Sequence, residues 1–165
     1  MDKIEELLKD PKTDLQKQAL TDKSYKKTPN NQDCKINFEL ATYGDAILKC
    51  VLCKIYFERE DEDNFGFKGK LTEWKKQYES DEVLVKFIAR HYDILNFLNF
   101  DRDDTKKPHD YDYQGKNAKR RYKYIATAME ASIAAVYLEN GENEVIEIVK
   151  QWIEWIDKVT NSSDT

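Results

Sequence analysis

Only five glycines and three prolines punctuate 165 residues, and runs that alternate apolar with polar residues are short. Sheets need more turns and clearer period-two patterning than this, so the fold class read from the sequence is all-α. No run of about eighteen apolar residues exists, which excludes a membrane-spanning helix. The N-terminal MDKIEELLKD alternates charge with Ile and Leu, so it has no secretory core, and the expected location is cytoplasmic. Cysteine is limited to Cys34, Cys50 and Cys53, an odd set that fits a reducing compartment better than a disulfide framework. Cys50 and Cys53 have CxxC spacing, but no second pair or nearby His completes a zinc site. The apolar run AILKCVLCKIYF predicts them as buried structural thiols. Neither His91 nor His109 lies in a Ser, Cys or Asp arrangement that suggests a triad.

Charged residues make up 36% of the chain and apolar ones 40%, enough of the latter for one domain with a core. The expected domain covers residues 1–160, followed by a disordered tail at 161–165. A net charge of -5 argues against indiscriminate attraction to nucleic acid or to an anionic membrane. Apolar residues recur at helical spacing through segments near 2–9, 13–22, 36–57, 70–79, 81–91, 117–139 and 142–159, a bundle of about seven helices. Leu40, Tyr43, Ile47, Val51 and Ile55 form the stripe of the third, and Val145, Ile148, Val149, Trp152, Ile156 and Val159 face inward on the last. A polar loop is expected at 26–35, and the run EREDED with GFKGK separates the third helix from the fourth.

Two acids break the apolar pattern. Asp45 shares a helix face with Ala41, Leu48 and Leu52, and Glu130 shares one with Ala126, Ile133, Ala134 and Tyr137. Burying an unpaired carboxylate costs several kcal/mol, on the order of 3–5 kcal/mol when a buried partner is removed, so each acid needs a partner. One account gives each its own lysine or tyrosine hydroxyl, for example Lys49 one turn from Asp45. The other lets the two helices cross so that both acids meet a divalent cation, with Ala41, Gly44, Ala126 and Ala131 permitting the close approach. Oxygen-only ligation would favour magnesium.

Three blocks carry a resemblance: QALTDKSY at 18–25, FELATYGDAIL at 38–48 and IATAMEASIAAVYLENG at 125–141. In this order they resemble the catalytic domain of the ribonuclease III family over nearly the whole chain. The resemblance implies an all-α ribonuclease III endonuclease fold, a dimer, and magnesium-dependent cutting of double-stranded RNA, with manganese as a possible substitute. It places Asp45 and Glu130 on two of the family's metal-binding, catalytic acids. Ala41 and Thr127 stand where the family usually has a Glu and an Asp. The compact Mini-III branch, which lacks a separate RNA-binding domain, is similar in having Ala and Thr there. Asp22, Ser132 and Ala134 depart from the more usual His, Leu and Gly. A catalytically silent, RNA-binding or ribonucleoprotein subunit of the same fold is the alternative.

Double-stranded RNA is held through phosphates and 2′-hydroxyls, which calls for cationic and hydrogen-bonding groups. In YQGKNAKRRYKY, residues 113–124, Lys116, Asn117, Lys119, Arg120, Arg121 and Lys123 cluster at the start of the helix that bears Glu130. Some of them alternatively offset the acids of DRDD and DYDY upstream. The expected partners are therefore an RNA duplex and a second copy in a homodimer, with no membrane and no small-molecule cofactor. Tyr56, Phe57, Phe65, Phe67 and Trp74 suit either a two-fold interface or a plain core.

Overall fold

The computed structural model describes residues 1–59 and 69–162. Helix α1, Lys3–Lys9, begins where the Asp2 carboxylate accepts the Glu5 backbone N–H at 2.9 Å, and it buries Ile4, Leu7 and Leu8. Helix α2, Asp14–Ala19, opens on a capping box in which the Thr13 and Gln16 side chains each serve the other's backbone. It stops short of the predicted end because the chain turns aside to pair with a later segment. The Asn99 N–H donates to the Leu20 carbonyl at 2.8 Å, and the Asp22 N–H donates to the Asn99 carbonyl at 2.9 Å. The polar segment that follows contains two short 3-10 turns, Lys23–Lys27 and Pro29–Asn31.

Helix α3, Phe38–Arg59, is anchored at its entry by Asn37, whose side-chain amide donates to the Ala19 carbonyl at 3.2 Å. Helix α4 spans Lys70–Glu79. Helix α5 runs over residues 81–92: an α turn at Asp81–Val83, a π-helical stretch at Leu84–Ala89 and a last α turn at Arg90–Tyr92. The Ser80 hydroxyl caps α5 by accepting the Val83 N–H at 3.3 Å. Helix α6, Ala118–Asn140, and helix α7, Glu142–Asn161, are separated by Gly141, whose φ of 88° is the left-handed turn that glycine tolerates. No strand forms among the described residues, and the all-α class predicted from the sequence is the one observed.

Helix α6 is the centre of the molecule. From Tyr122 to Val136 it is buried on almost every side, including Met129, Ile133 and Ala134, as expected of a helix surrounded by others. Helices α1, α2, α3, α5 and α7 all pack on it.

Several predicted core positions lie elsewhere. The buried arc of α3 centres on the direction of Ile55; at about 100° per residue, Tyr43 points roughly 120° away and Cys50 roughly 140° away. Tyr43 is accordingly 44% exposed and meets Tyr137 edge-on at 6.0 Å, Cys50 is exposed and Cys53 is half-buried. Val159 is exposed because α7 overruns the core from Lys158 onward, and the helix continues through Asn161, where a tail was expected. Tyr56 is buried against Trp74, with ring centroids 5.4 Å apart, so this pair serves the core, whereas Phe57 is half exposed. Phe65, Phe67 and most of the acidic run and glycine break lie outside the described residues.

The contact that sets the spacing of α3 and α6 is made by Gly44. A Cβ added there would stand 1.7 Å from the Glu130 carbonyl oxygen and 2.6 Å from its carbon, so the backbones touch with no room for a methyl group. Elsewhere in a helix interior, Gly to Ala stabilises by about 1 kcal/mol. Here Gly44→Ala is expected to reverse that sign and to cost on the order of 3 kcal/mol through overpacking against backbone. Thermal and urea unfolding measure it; an unchanged or raised midpoint would mean that the helices do not meet as described.

Candidate active site

Asp45 lies about 80° from the middle of the α3 arc, at its rim, and is half-buried instead of sitting on the apolar stripe. Glu130, on the central helix, is only 5% exposed. The Gly44 contact puts the backbone of the residue before Asp45 against Glu130 itself. Both side chains consequently line one open pocket of about 640 Å³ between α3, α6 and the α4–α5 junction. Lys49, Glu79, Asp81 and Lys123 share its walls, as do Ala41 and Thr127.

Each acid has an ammonium partner. Lys49 Nζ donates to Asp45 Oδ2 at 2.6 Å, the pairing anticipated from their i,i+4 spacing. Lys123 Nζ stands 3.2 Å from Glu130 Oε1 and 3.0 Å from Asp81 Oδ1, and so bridges two carboxylates. The sequence pattern groups Lys123 with the RNA-contacting cations; the structure turns it into the pocket. Asp81 is 13% exposed at its side chain, and its Oδ2 is buried without a hydrogen-bond partner.

Burial raises the Glu130 pKa above the usual carboxylate range, because water no longer solvates the charge. Lys123 pulls it back down in part, while Asp81 and Asp45 push it further up. Burial also works against a charged Lys123, yet its hydrogen bond to Asp81 and the attraction of both acids outweigh that and hold the ammonium above its ordinary value. The Lys49 pKa is raised by its hydrogen bond to Asp45, with Glu79 and Glu130 adding to the field. Asp45 and Glu130 therefore act on the same volume of space.

Every acidic donor in the pocket is a carboxylate oxygen, the ligand type that hard divalent cations take. Among the described residues, no three His, Cys, Asp or Glu side chains converge tightly enough to hold an ion by themselves. The arrangement fits a cation that needs only one or two carboxylates and keeps water for the rest, which is the habit of magnesium. Asp81 Oδ2 and Glu79 Oε2, both buried without a hydrogen-bond partner, and the desolvated Glu130 are groups that an added positive charge would relieve.

The remaining cations of the 113–124 stretch sit at the outer end of α6. Lys116, Asn117, Lys119, Arg120 and Arg121 are exposed, and Lys119 also lines the pocket. Among the described residues, none of these four basic side chains is within 4.0 Å of an acid; the DYDY carboxylates are met by Tyr122, 2.5 Å from Asp110, and by Arg90, 2.8 Å from Asp112. Arg121 instead lies 6.0 Å over the Tyr122 ring. His91 stacks on Trp155 and His109 meets Phe100, and neither lines the pocket.

Comparison with known proteins gives this geometry its family. A family model described as Ribonuclease-III-like matches residues 12–155. The chain belongs to that family. Curated relatives include ribonuclease 3 of Azotobacter vinelandii, 30% identical over 140 residues, and ribonuclease 3 of Nitratiruptor, 28% identical over 140 residues. Both alignments take in 85% of this chain but only 52% and 54% of those proteins, so the chain spans about half the length of the curated relatives it matches. A crystal structure of the nuclease domain of ribonuclease III from Campylobacter jejuni aligns with a TM-score of 0.67 and 25% identity, covering 92% of each chain. A second structure of that domain, concerned with flexibility in a region involved in dimer formation, gives the same TM-score at 24% identity. The ribonuclease III fold read from the three sequence blocks is thus the observed one.

Asp81 and Glu79 carry no signal in the sequence that marks them for the site. Ser80-Asp81 reads completely as a helix cap, so nothing local points to Asp81 as a pocket residue; only the packing of the α4–α5 junction on α6 brings it to Lys123.

Because burial raises the Glu130 pKa, its ionised form opposes folding above that pKa, and the opposition disappears as the pH falls through it. Glu130→Gln is therefore expected to raise the unfolding midpoint at pH 7 and to lose the advantage below about pH 4, near the ordinary Glu value. Lys123 keeps Asp81 as a partner in that variant. A lowered midpoint at pH 7 would show that Glu130 is compensated by its surroundings.

Proposed function

We propose that the protein is a divalent-metal-dependent endoribonuclease that hydrolyses phosphodiester bonds in double-stranded RNA, with Ala41 and Thr127 matching the pattern of the Mini-III branch. The observation that carries this reading is that Asp45 and Glu130, 85 positions apart by their numbers, line one pocket whose acidic donors are all carboxylate oxygens. Asp45 and Glu130 hold the ion, magnesium or its substitute manganese. When bound, it supplies positive charge against the phosphate oxygens and makes an attacking water more acidic. The residues of the chain do the rest. The exposed cations of the α6 entry, with Asn117, engage the RNA backbone, and Lys119 spans from that surface to the pocket. A homodimer would bring two such pockets to the two strands, in the cytoplasm.

One specific observation favours the second reading, a silent structural or RNA-binding subunit. Ala41 and Thr127 line the same pocket in place of acids, and both acids that remain already have ammonium partners.

Cleavage of a long RNA duplex with magnesium separates the two readings. Asp45→Asn and Glu130→Gln are each expected to slow single-turnover cutting by at least about a hundredfold, the scale on which loss of one electrostatic stabiliser acts. Duplex binding without cleavage in magnesium or manganese would select the silent subunit instead.

Recognition makes a separate expectation. Replacing Lys119, Arg120 and Arg121 by Gln is expected to weaken binding to duplexes of any sequence alike and to flatten the dependence of log K on log salt by about 1 for each phosphate left without its cation. An unchanged salt slope would remove the α6 entry from the interface.

A further inference from the structure

We propose that Lys49 and Lys123 are built-in counter-cations of the pocket, which a divalent ion must displace, so that these two positioning residues set how weakly the protein binds its metal. The inference rests on the reading of Asp45 and Glu130 as the ion's ligands.

The geometry supplies the argument. Asp45 Oδ2 faces the Lys49 ammonium at 2.6 Å, and Glu130 Oε1 and Oε2 face the Lys123 ammonium at 3.2 and 3.5 Å. A carboxylate oxygen engaged at such range is not free to ligate an ion in the same direction. Two cations crowded into one pocket also repel each other, so ion and ammonium exclude one another. Both lysines have somewhere to go. Their side chains are 44% and 47% exposed, and the pocket is open, so each can swing outward while its acid stays in place.

The two lysines are not equivalent. Lys49 pairs with a half-exposed acid one turn away on its own helix, where water screens the attraction. Lys123 joins two acids that are 7% and 13% exposed at their side chains, and one of these belongs to another helix. Its displacement removes the only ammonium within 4.0 Å of Glu130 among the described residues, so the larger effect belongs to Lys123.

Manganese binding by the full chain, freed of metal and followed by the electron paramagnetic resonance of free Mn2+, tests this without reference to catalysis. Lys123→Met and Lys49→Met keep the length of the side chain and remove its charge. Each is expected to lower the Mn2+ Kd, by about tenfold or more for Lys123→Met and by less for Lys49→Met. Lys54→Met, which breaks a pair with Glu142 outside the pocket, is expected to leave it unchanged. A purely structural role for Lys123 would lower the unfolding midpoint without tightening the metal. If Lys123→Met fails to fold, Lys49→Met decides alone, since its half-exposed site on the surface of α3 tolerates the change.

The outcomes separate cleanly. If the lysine variants bind Mn2+ no more tightly than the parent while Asp45→Asn and Glu130→Gln abolish binding, the displacement inference is overturned and the metal site stands. If Asp45→Asn and Glu130→Gln bind like the parent, or if no form binds, the site itself is misassigned and the inference falls with it.

Discussion

The structure depends on two helical backbones meeting without a side chain between them. Gly44 lies against the Glu130 carbonyl, and no residue with a Cβ fits there without moving a helix. That one contact fixes the separation of α3 and α6, and everything else in the pocket follows from it. Asp45 is the next residue after Gly44, so it is carried to the rim of the interface. Glu130 supplies the touching carbonyl and projects its own side chain from the most buried helix of the molecule. The same shortage of bulk that lets the helices touch therefore brings two carboxylates into one field. A wider separation would give water room between them and dissolve their coupling.

Helix placement was legible because apolar spacing and caps pointed the same way. The Thr13–Gln16 capping box and Gly141 between α6 and α7 are local signals with local consequences. The small residue at Gly44 was legible as a close approach for the same reason: a glycine in a helix interior costs stability unless something requires it. Cys50 and Tyr43 misled because an apolar run says how apolar a helix is, and only its neighbours decide which part of the circumference they cover. The role of Lys123 was hidden for a related reason. It belongs to a basic run whose other members face solvent, and only rotation about α6 separates it from them. Asp81 was invisible because a capping serine before it already accounts for an acid at the start of a helix.

The chain's departures from its family acquire a physical reading here. Asp22 stands where the resemblance leads one to expect a histidine, and it is buried beside Lys107, 3.0 Å away, with Ser24 donating to it. Burial alone would raise its pKa; the Ser24 hydrogen bonds and Lys107 more than offset that and hold it lowered. Lys107 in turn covers the Tyr124 ring at 4.2 Å, which ties the 99–115 segment to the base of α6. This departure thus cross-links the loop that leads into the basic surface, and it lies at a distance in sequence from the pocket acids.

The replacements at Ala41 and Thr127 bear directly on the pocket's charge balance. Five carboxylates and four ammonium groups line it. Had Ala41 and Thr127 been acids as well, seven negative charges would crowd a volume partly shielded from water, and the chain's own lysines would fall well short of neutralising them. With two fewer acids the pocket nearly balances on its own side chains, and Lys49 and Lys123 leave neither Asp45 nor Glu130 without a cation. The two positions that lack acids and the two lysines are then parts of one arrangement, a pocket whose own side chains come close to balancing one another's charge.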